Sequence, residues 1–273
     1  MIEVESESAV LTALLERPLA TADQAVLAAI EAGPINPAMA LPLDQIDRLL
    51  DPAPLAAETG WCLMPDASAF VAVRTEMPGV TAEMIDWWFD WHPREPLRYR
   101  VWHPAAHVSN SVELPAEAGA KAHWGTVHHP VEDVGLGVIN ARIAFLPPSE
   151  LGFASDALGD PNVGTVVCGL VGDDKMHARH SVMAHVWLNE GDGLVLRSAF
   201  WLGAVMRPDL PGALGDLAGR LINRPLVRRR LVEQGLPQAL SLHCAQEYAN
   251  MATLLPELYS RFALSPASRR AAL

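Results

Sequence analysis

The first part of the chain has the apolar spacing of short helices. Apolar residues recur every three or four positions over 8–19, 22–33 and 41–50, which predicts three helices. Prolines interrupt the region, and helices this short are not stable in isolation. We therefore predict a small N-terminal helical segment, residues 1–55, that packs on the main body or on a second subunit.

Short apolar and β-branched runs dominate the middle of the chain, and glycine, proline or paired aspartates separate them. This pattern is typical of an antiparallel meander. One helix is predicted within the series, over 81–92, with Thr81 as its N-cap. The pattern predicts strands over 60–65, 68–77, 97–104, 122–135, 137–148, 164–174, 178–190 and 193–203.

Helical spacing returns from about residue 214 to 264, with a break near residues 235–237. Helices, then strands around one helix, then long helices is the order of an α+β protein, not of alternating β-α-β units. A helix grip, meaning a curved antiparallel sheet around a long C-terminal helix, satisfies this order with residues 56–273 as one body. Such a body encloses a cavity suited to a small apolar ligand.

Composition and charge narrow the possible functions. The chain has 273 residues, 50% of them hydrophobic, which is enough to bury one large core. Its 32 acidic against 20 basic residues argue against a broad nucleic-acid surface, and no apolar run is long enough to span a membrane. The acidic start lacks the features of a secretory signal, and the three distant cysteines indicate no disulfide framework. We therefore predict a cytoplasmic protein that binds neither nucleic acid nor membrane.

Four side chains have the chemistry of metal ligands. His243 and Glu247 are four residues apart in an apolar predicted helix, so both project from the same face. A buried acid at that position needs a cation or a hydrogen-bond donor. His107 and Glu132 lie in two histidine-rich stretches earlier in the chain. Two imidazoles and two carboxylates suit a divalent ion such as zinc.

Spacing alone leaves alternatives open. His103 is a rival to His107 because the two are four residues apart, and His129 ranks nearly level with Glu132. Alternation places His129 and Glu132 on opposite faces of the predicted strand. Spacing alone explains His243 and Glu247 equally well as an ordinary side-chain pair on the surface of a helix.

Other reactive side chains have simpler explanations. Cys244 is expected to pack as a small apolar side chain, and a favourable dipole interaction at a helix end is enough to explain His92. Ser198 lies in no nucleophile motif, and the chain contains no phosphate-binding or dinucleotide-binding glycine motif.

The stretch TEMPGVTAEMIDWWFDWHPREPLRYRVWHPAAHVSN, together with VEDVG, LRSAFWLG and HCAQE, resembles the 2,4-diacetylphloroglucinol hydrolase family, which includes phloretin hydrolase. The similarity covers roughly residues 55–260. It implies a Bet v 1-like helix-grip domain and an N-terminal segment involved in forming a homodimer. It also implies zinc-dependent hydrolysis of the carbon–carbon bond between an acyl group and a phenolic ring, in which water activated by the metal attacks the acyl carbonyl.

The resemblance also implies roles for particular residues. The zinc ligands implied are His107, Glu132, His243 and Glu247. Residues implied to contact the substrate are Tyr99, Asn110 and His185, and Phe200 stands where the family has a second pocket tyrosine. Catalytic roles beyond metal binding are expected for His185, Tyr99 and Glu132.

A different class of function fits the same pattern. A non-catalytic protein could hold an aromatic or polyketide ligand in the same cavity, with the metal absent or structural. In that case Tyr99, Asn110 and His185 are polar groups that close a core and find partners there.

Overall fold

The computed structural model describes residues 6–117, 119–173, 178–208, 210, 212–232 and 235–263. The strands are β1 (Gly60–Leu63), β2 (Ala69–Pro78), β3 (His107–Glu113), β4 (Val127–Asp133), β5 (Val138–Leu146), β6 (Val163–Asp173), β7 (Ala178–Glu190) and β8 (Gly193–Pro208). The helices are α1 (Glu7–Leu15), α2 (Gln24–Glu31), α3 (Ala82–Trp91), α4 (Pro96–Trp102), α5 (Pro148–Leu151), α6 (Gly212–Ile222), α7 (Pro225–Leu231) and α8 (Leu236–Phe262). Short 3-10 helices lie at Pro37–Met39, Leu43–Leu49, His92–Arg94 and Ala157–Gly159.

The strands form one antiparallel sheet in the order β1-β2-β8-β7-β6-β5-β4-β3. From β3 to β8 each strand pairs with the next one along the chain; β4 to β8 are the predicted meander, and β3 extends it by a strand that the sequence pattern did not predict. The β1–β2 hairpin extends the sheet beyond β8, because β2 pairs with β8 over ten residues from Ala69 to Pro78. The edge strands are therefore β1 and β3, and the last strand, β8, lies inside the sheet between β2 and β7.

Helix α8 packs against the inner side of the sheet and supplies much of the core. Its buried residues Tyr248, Leu255 and Leu258 belong to the same apolar cluster as Val71 and Trp187 of the sheet. Burial of large side chains such as these is the main stabilising contribution in a body of this size. The structure is thus the predicted α+β protein, an antiparallel sheet packed around a long C-terminal helix. Among the described helices, none combines the length and apolar character needed to cross a bilayer.

The N-terminal helices pack on this body. Val10, Leu11 and Leu14 of α1 are buried in the same apolar cluster as the residues of α8. An ion pair joins Arg17 Nη1 to Glu257 Oε2 at 2.7 Å. The segment therefore covers the helix grip within one chain. Its role in dimer formation and its status as a separate unit, residues 1–55, remain predictions.

One predicted element is wrong. The stretch 97–104 was expected to be extended, but residues 96–102 form helix α4. Pro96 occupies the first turn, where its missing N–H costs nothing, and the Glu95 side chain accepts a hydrogen bond from the N–H of Leu97 at 3.5 Å. The other predicted helices and strands are present, and Thr81 caps α3 as expected. The ends of the expected elements at residues 174 and 264, and residues 1–5, lie outside the described residues.

A buried arginine fastens the segment before β1 to the outer face of the sheet. The side chain of Arg197 on β8 is 6% exposed and pairs with Glu58, with Nη2 and Oε1 2.8 Å apart. Its guanidinium also donates hydrogen bonds to the carbonyl oxygens of Leu49, Asp51 and Ala53. A buried guanidinium needs all these acceptors to offset the loss of water.

We predict that replacing Arg197 with Met lowers the free energy of unfolding by about 3 kcal/mol, because Glu58 and three carbonyl oxygens lose their partner. Arg74 lies opposite Arg197 across the β2–β8 pair and makes only partly exposed ion pairs. The matched variant Arg74→Met should therefore lose less than about 1 kcal/mol. Urea denaturation measures both values, and equal losses would contradict the anchoring role.

Candidate active site

A cavity of about 330 Å³ lies between the inner face of the sheet and α8. Most of its wall is apolar and aromatic, including Phe89, Trp102, Phe145, Val171, Met183, Phe200, Leu202 and Leu240. Polar groups are concentrated at a few positions: His92, Tyr99, Asn110, His128, Glu132, His180, His185, His243, Glu247 and Tyr248. A mostly apolar cavity with a few polar groups is typical of a site for a small organic molecule.

The four side chains expected to be metal ligands meet at one wall of this cavity. His107 and Glu132 are cross-strand partners on β3 and β4, and His243 and Glu247 face them from α8. Nε2 of His107 lies 3.5 Å from Oε2 of Glu132 and 3.5 Å from Oε2 of Glu247. Nε2 of His243 lies 3.7 Å from the same Glu247 oxygen.

Three of these residues form the tightest group. The ligand atoms of His107, His243 and Glu247 all lie within 4.8 Å of one another. Glu132 is more peripheral, because its Oε2 accepts a hydrogen bond from the Tyr99 hydroxyl. Three protein ligands with one open position is the usual arrangement of a catalytic zinc site. Glu132 is thus either a fourth ligand or a neighbouring base.

Tyr99 holds both strand residues of the site. Nδ1 of His107 donates a hydrogen bond to the carbonyl oxygen of Tyr99 at 3.1 Å, which leaves the lone pair on Nε2. The two rings stack with centroids 4.1 Å apart. Nε2 of His107 is buried and has no hydrogen-bond partner among the described residues. A buried lone pair fixed in this way fits a metal ligand.

Burial also perturbs the charge of this wall. Burial raises the pKa of Glu247 to about 8, and the nearby Glu132 carboxylate adds to the rise while His243 opposes it. Burial lowers the pKa of His107, although Glu132 opposes this shift. A cation at this position would stabilise both carboxylates as anions and use the neutral imidazole nitrogens. The donor set therefore fits a divalent metal such as zinc.

The rival ligands lie elsewhere. His103 stacks on His243 with ring centroids 5.2 Å apart and is not one of the three converging residues. His129 points away from the cavity, where its Nε2 lies 3.0 Å from Oε1 of Glu113. The alternation of β4 thus turns Glu132, and not His129, towards the candidate ligands.

The residues expected to contact substrate line the same cavity. His185 on β7 is buried, and its Nδ1 lies 2.8 Å from Oγ of its cross-strand partner Ser198. Burial lowers the pKa of His185 to about 3, so the imidazole is neutral at physiological pH. The ring of Phe200 meets His185 edge-on at 5.4 Å. On the opposite side of the cavity, Nδ2 of Asn110 lies 3.3 Å from Nδ1 of His128.

Cys244 is neither a ligand nor a nucleophile. It is completely buried, and burial raises the pKa of its thiol well above the usual value. A neutral buried thiol is unreactive and packs as a small apolar group, as expected.

Three cavity residues were missed or misread from the sequence. Tyr248 lies beside His185 with ring centroids 5.0 Å apart, and burial raises the pKa of its hydroxyl well above the usual value. His128, next to the rival ligand His129 in the sequence, is buried in the cavity wall. The dipole explanation of His92 is wrong, because burial lowers its pKa well below the usual value and leaves no charge to interact with the helix. The one signal in the sequence that His92 is buried is its position directly after the tryptophan-rich helix α3.

Comparison with known proteins adds an independent observation. The family model described as "DAPG hydrolase PhiG domain" matches residues 41–260. The chain is 31% identical over 253 residues to phloretin hydrolase of Eubacterium ramulus, covering 90% of this chain and 87% of that protein. It is 32% identical over 230 residues to 2,4-diacetylphloroglucinol hydrolase of Pseudomonas protegens, covering 81% of this chain and 73% of that protein. Among solved structures, norcoclaurine synthase from Thalictrum flavum covers 70% of this chain at 11% identity, with a TM-score of 0.37.

The family model spans most of the described chain, and both relatives exceed 30% identity over most of their own length. The family expected from the aromatic and histidine motifs is confirmed, and so is the expected class of enzyme. The chain belongs to the DAPG hydrolase family, a family of hydrolases.

Proposed function

We propose that this protein is a zinc-dependent hydrolase that cleaves the carbon–carbon bond between an acyl group and a phloroglucinol-like ring. One observation carries the proposal: His107, His243 and Glu247 converge within 4.8 Å at the wall of an aromatic cavity. The two relatives described above are hydrolases of phloretin and of 2,4-diacetylphloroglucinol. The cavity has the size and apolar character suited to such a phenolic substrate.

Zinc would be held by His107, His243 and Glu247, with Glu132 as fourth ligand or base. Once bound, zinc supplies a water of lowered pKa and polarises the acyl carbonyl. The Tyr99 carbonyl keeps the lone pair of His107 on Nε2, and the Tyr99 hydroxyl holds the Glu132 carboxylate in place. We assign to Glu132 the removal of a proton from the attacking water. The Glu247 carboxylate belongs to the group of ligand atoms that lie within 4.8 Å of one another, whereas the Glu132 carboxylate does not.

Hydrolysis of this bond must also deliver a proton to the ring carbon that leaves. We assign His185 to this side of the reaction, as a neutral hydrogen-bonding group at the phenolic oxygens or as a relay to the carbon of the proton that Glu132 removes from water. The Ser198 hydroxyl forms a hydrogen bond with Nδ1 of His185, so Nε2 of His185 is the nitrogen available to the substrate. Asn110 orients the phenolic ring through its amide. Phe200 leaves an apolar wall beside His185, where a tyrosine would add a hydroxyl.

The remaining assignments are also proposals. We infer a homodimer in which residues 1–55 contribute to the contact, and a cytoplasmic location. The small aromatic substrate is the partner that the cavity supports; neither nucleic acid nor a membrane is expected to bind.

We predict about one zinc per chain in the purified protein and release of free acid from 2,4-diacetylphloroglucinol or phloretin. Glu247→Gln should reduce both the zinc content and the rate by about a hundredfold or more. Replacing even a residue that only supports a metal ligand typically lowers metal affinity or activity by about 10- to 100-fold. Elemental analysis and acid titration measure the two quantities.

Glu257→Gln is the control, because Glu257 lies on the same helix but pairs with the exposed Arg17. It should keep normal zinc content and rate. Absence of zinc and of turnover in the unaltered protein would favour the non-catalytic binding protein instead.

A second prediction concerns acid stability. His185 has a pKa of about 3 when folded, whereas an unfolded histidine titrates near 6.5. The unfolded chain therefore binds the proton first as the pH falls. The contribution of neutral His185 to stability is complete above about pH 6.5 and decreases by up to about 1.4 kcal/mol per pH unit towards pH 3.

His185→Gln cannot take up this proton. Its free energy of unfolding should therefore fall less steeply than that of the unaltered protein between pH 6.5 and 4. Urea denaturation at several pH values measures the two slopes. Parallel slopes would mean that His185 is not held neutral in the cavity.

A further inference from the structure

The hydrogen bonding of His92 fixes which of its nitrogens carries the proton. Nδ1 of His92 lies 2.8 Å from the carbonyl oxygen of Trp88. A carbonyl oxygen can only accept a hydrogen bond, so Nδ1 must carry the hydrogen. Because burial, with a smaller effect from His128, lowers the pKa of His92 well below its usual value, the ring holds only this one proton. Nε2 of His92 is therefore a lone-pair acceptor.

The second nitrogen of His92 faces no protein donor. His92 lines the cavity, is 2% exposed, and makes no side-chain hydrogen bond with the described residues other than the one to Trp88. Nε2 of His92 is not one of the fully buried atoms that lack a partner, so it is open to the cavity that His92 lines, where a bound molecule can reach it. A ligand bound in the cavity could supply the hydrogen-bond donor for Nε2 of His92.

Neighbouring rings prevent His92 from turning to find another partner. Trp88 stacks on it with centroids 5.1 Å apart, and Phe89 and Trp102 meet it edge-on at 5.5 and 5.6 Å. The lone pair of Nε2 is thus held in one direction before any ligand binds. Preorganised groups of this kind discriminate strongly between a ligand that completes the bond and one that does not.

His92 also lies between two other parts of the site. Its ring centroid is 6.3 Å from that of Tyr99, which contacts two of the candidate metal ligands, and 5.9 Å from that of His128. A phenolic ring whose acyl group reached the candidate metal wall would extend past these residues. The hydroxyl groups of such a ring are the donors that Nε2 lacks.

We propose that His92 is a specificity-determining residue that accepts a hydrogen bond from a ring hydroxyl of the phenolic ligand. This inference rests on the proposed function for the identity of the ligand. It predicts that a phenol binds and that the corresponding methyl ether, which has no O–H to donate, binds poorly. His92 recognises the hydroxyl without taking part in the bond-breaking step.

The test is a binding cycle on the purified protein, and neither ligand has an acyl group to cleave, so no turnover occurs. Calorimetry measures the affinity for phloroglucinol and for its trimethyl ether, in the unaltered protein and in His92→Phe. Phenylalanine keeps the ring stacking and removes the acceptor. We expect the variant to bind phloroglucinol about tenfold more weakly and to bind the ether unchanged, because one hydrogen bond in a buried site is worth about this factor.

His123→Phe is the matched control. His123 is as deeply buried as His92 and packs on Phe89 and Phe145, but it does not line the cavity. Its replacement should leave the affinity for phloroglucinol unchanged.

Three results would overturn the proposal. One is a parallel loss of affinity for both ligands in His92→Phe, which would mean that His92 only packs the wall. Another is unchanged affinity for phloroglucinol in that variant. The third is failure of the unaltered protein to bind phloroglucinol. Absence of hydrolysis with a retained preference for phloroglucinol would reject the proposed reaction and keep the role of His92.

Discussion

The structure depends on how two buried carboxylates are compensated at the cavity wall. Glu132 and Glu247 face His107 within 3.5 Å, and both side chains are largely withdrawn from water. In that environment an anion is unstable unless a cation or several donors lie beside it. Among the described residues, the Tyr99 hydroxyl is the one side-chain donor to Glu132, and burial raises the pKa of Glu247 to about 8. The divalent cation that we propose would stabilise both carboxylates at once.

The rest of the fold positions these groups. The β3–β4 pairing places His107 opposite Glu132, and α8 brings His243 and Glu247 to the same place from across the cavity. Helix α4 adds Tyr99, whose carbonyl and hydroxyl hold one ligand from each strand. The long α8 is itself fixed by apolar packing over its whole length. The candidate site is therefore a product of the helix grip, and its four residues come from three elements, β3, β4 and α8.

Local patterns predicted most elements of this fold, but not α4. Arginines alternate with apolar residues over Leu97–Val101, so the stretch has strand periodicity as well as helical spacing. Pro96 and Glu95 supply the stronger signal, because together they begin a helix. The meander was predictable from its short apolar runs between turn residues, and α8 from its helical spacing of apolar residues.

The candidate site was predictable only where residues share one element or one motif. Helical spacing paired His243 with Glu247, and the family motif supplied His107. Alternation separated Glu132 from His129 but could not say which face of β4 is inside, since that depends on the curvature of the whole sheet. His92, His128 and Tyr248 were missed for the same reason: the cavity is closed by elements distant in sequence.

X-ray diffraction from crystals grown with zinc, measured at the zinc absorption edge, tests the central claim most directly. The anomalous signal locates the ion without assumptions about its ligands. We predict a single strong peak per chain, in contact with Nε2 of His107, Nε2 of His243 and the carboxylate of Glu247. A peak at another place, or none at this wall in crystals saturated with zinc, would contradict the account.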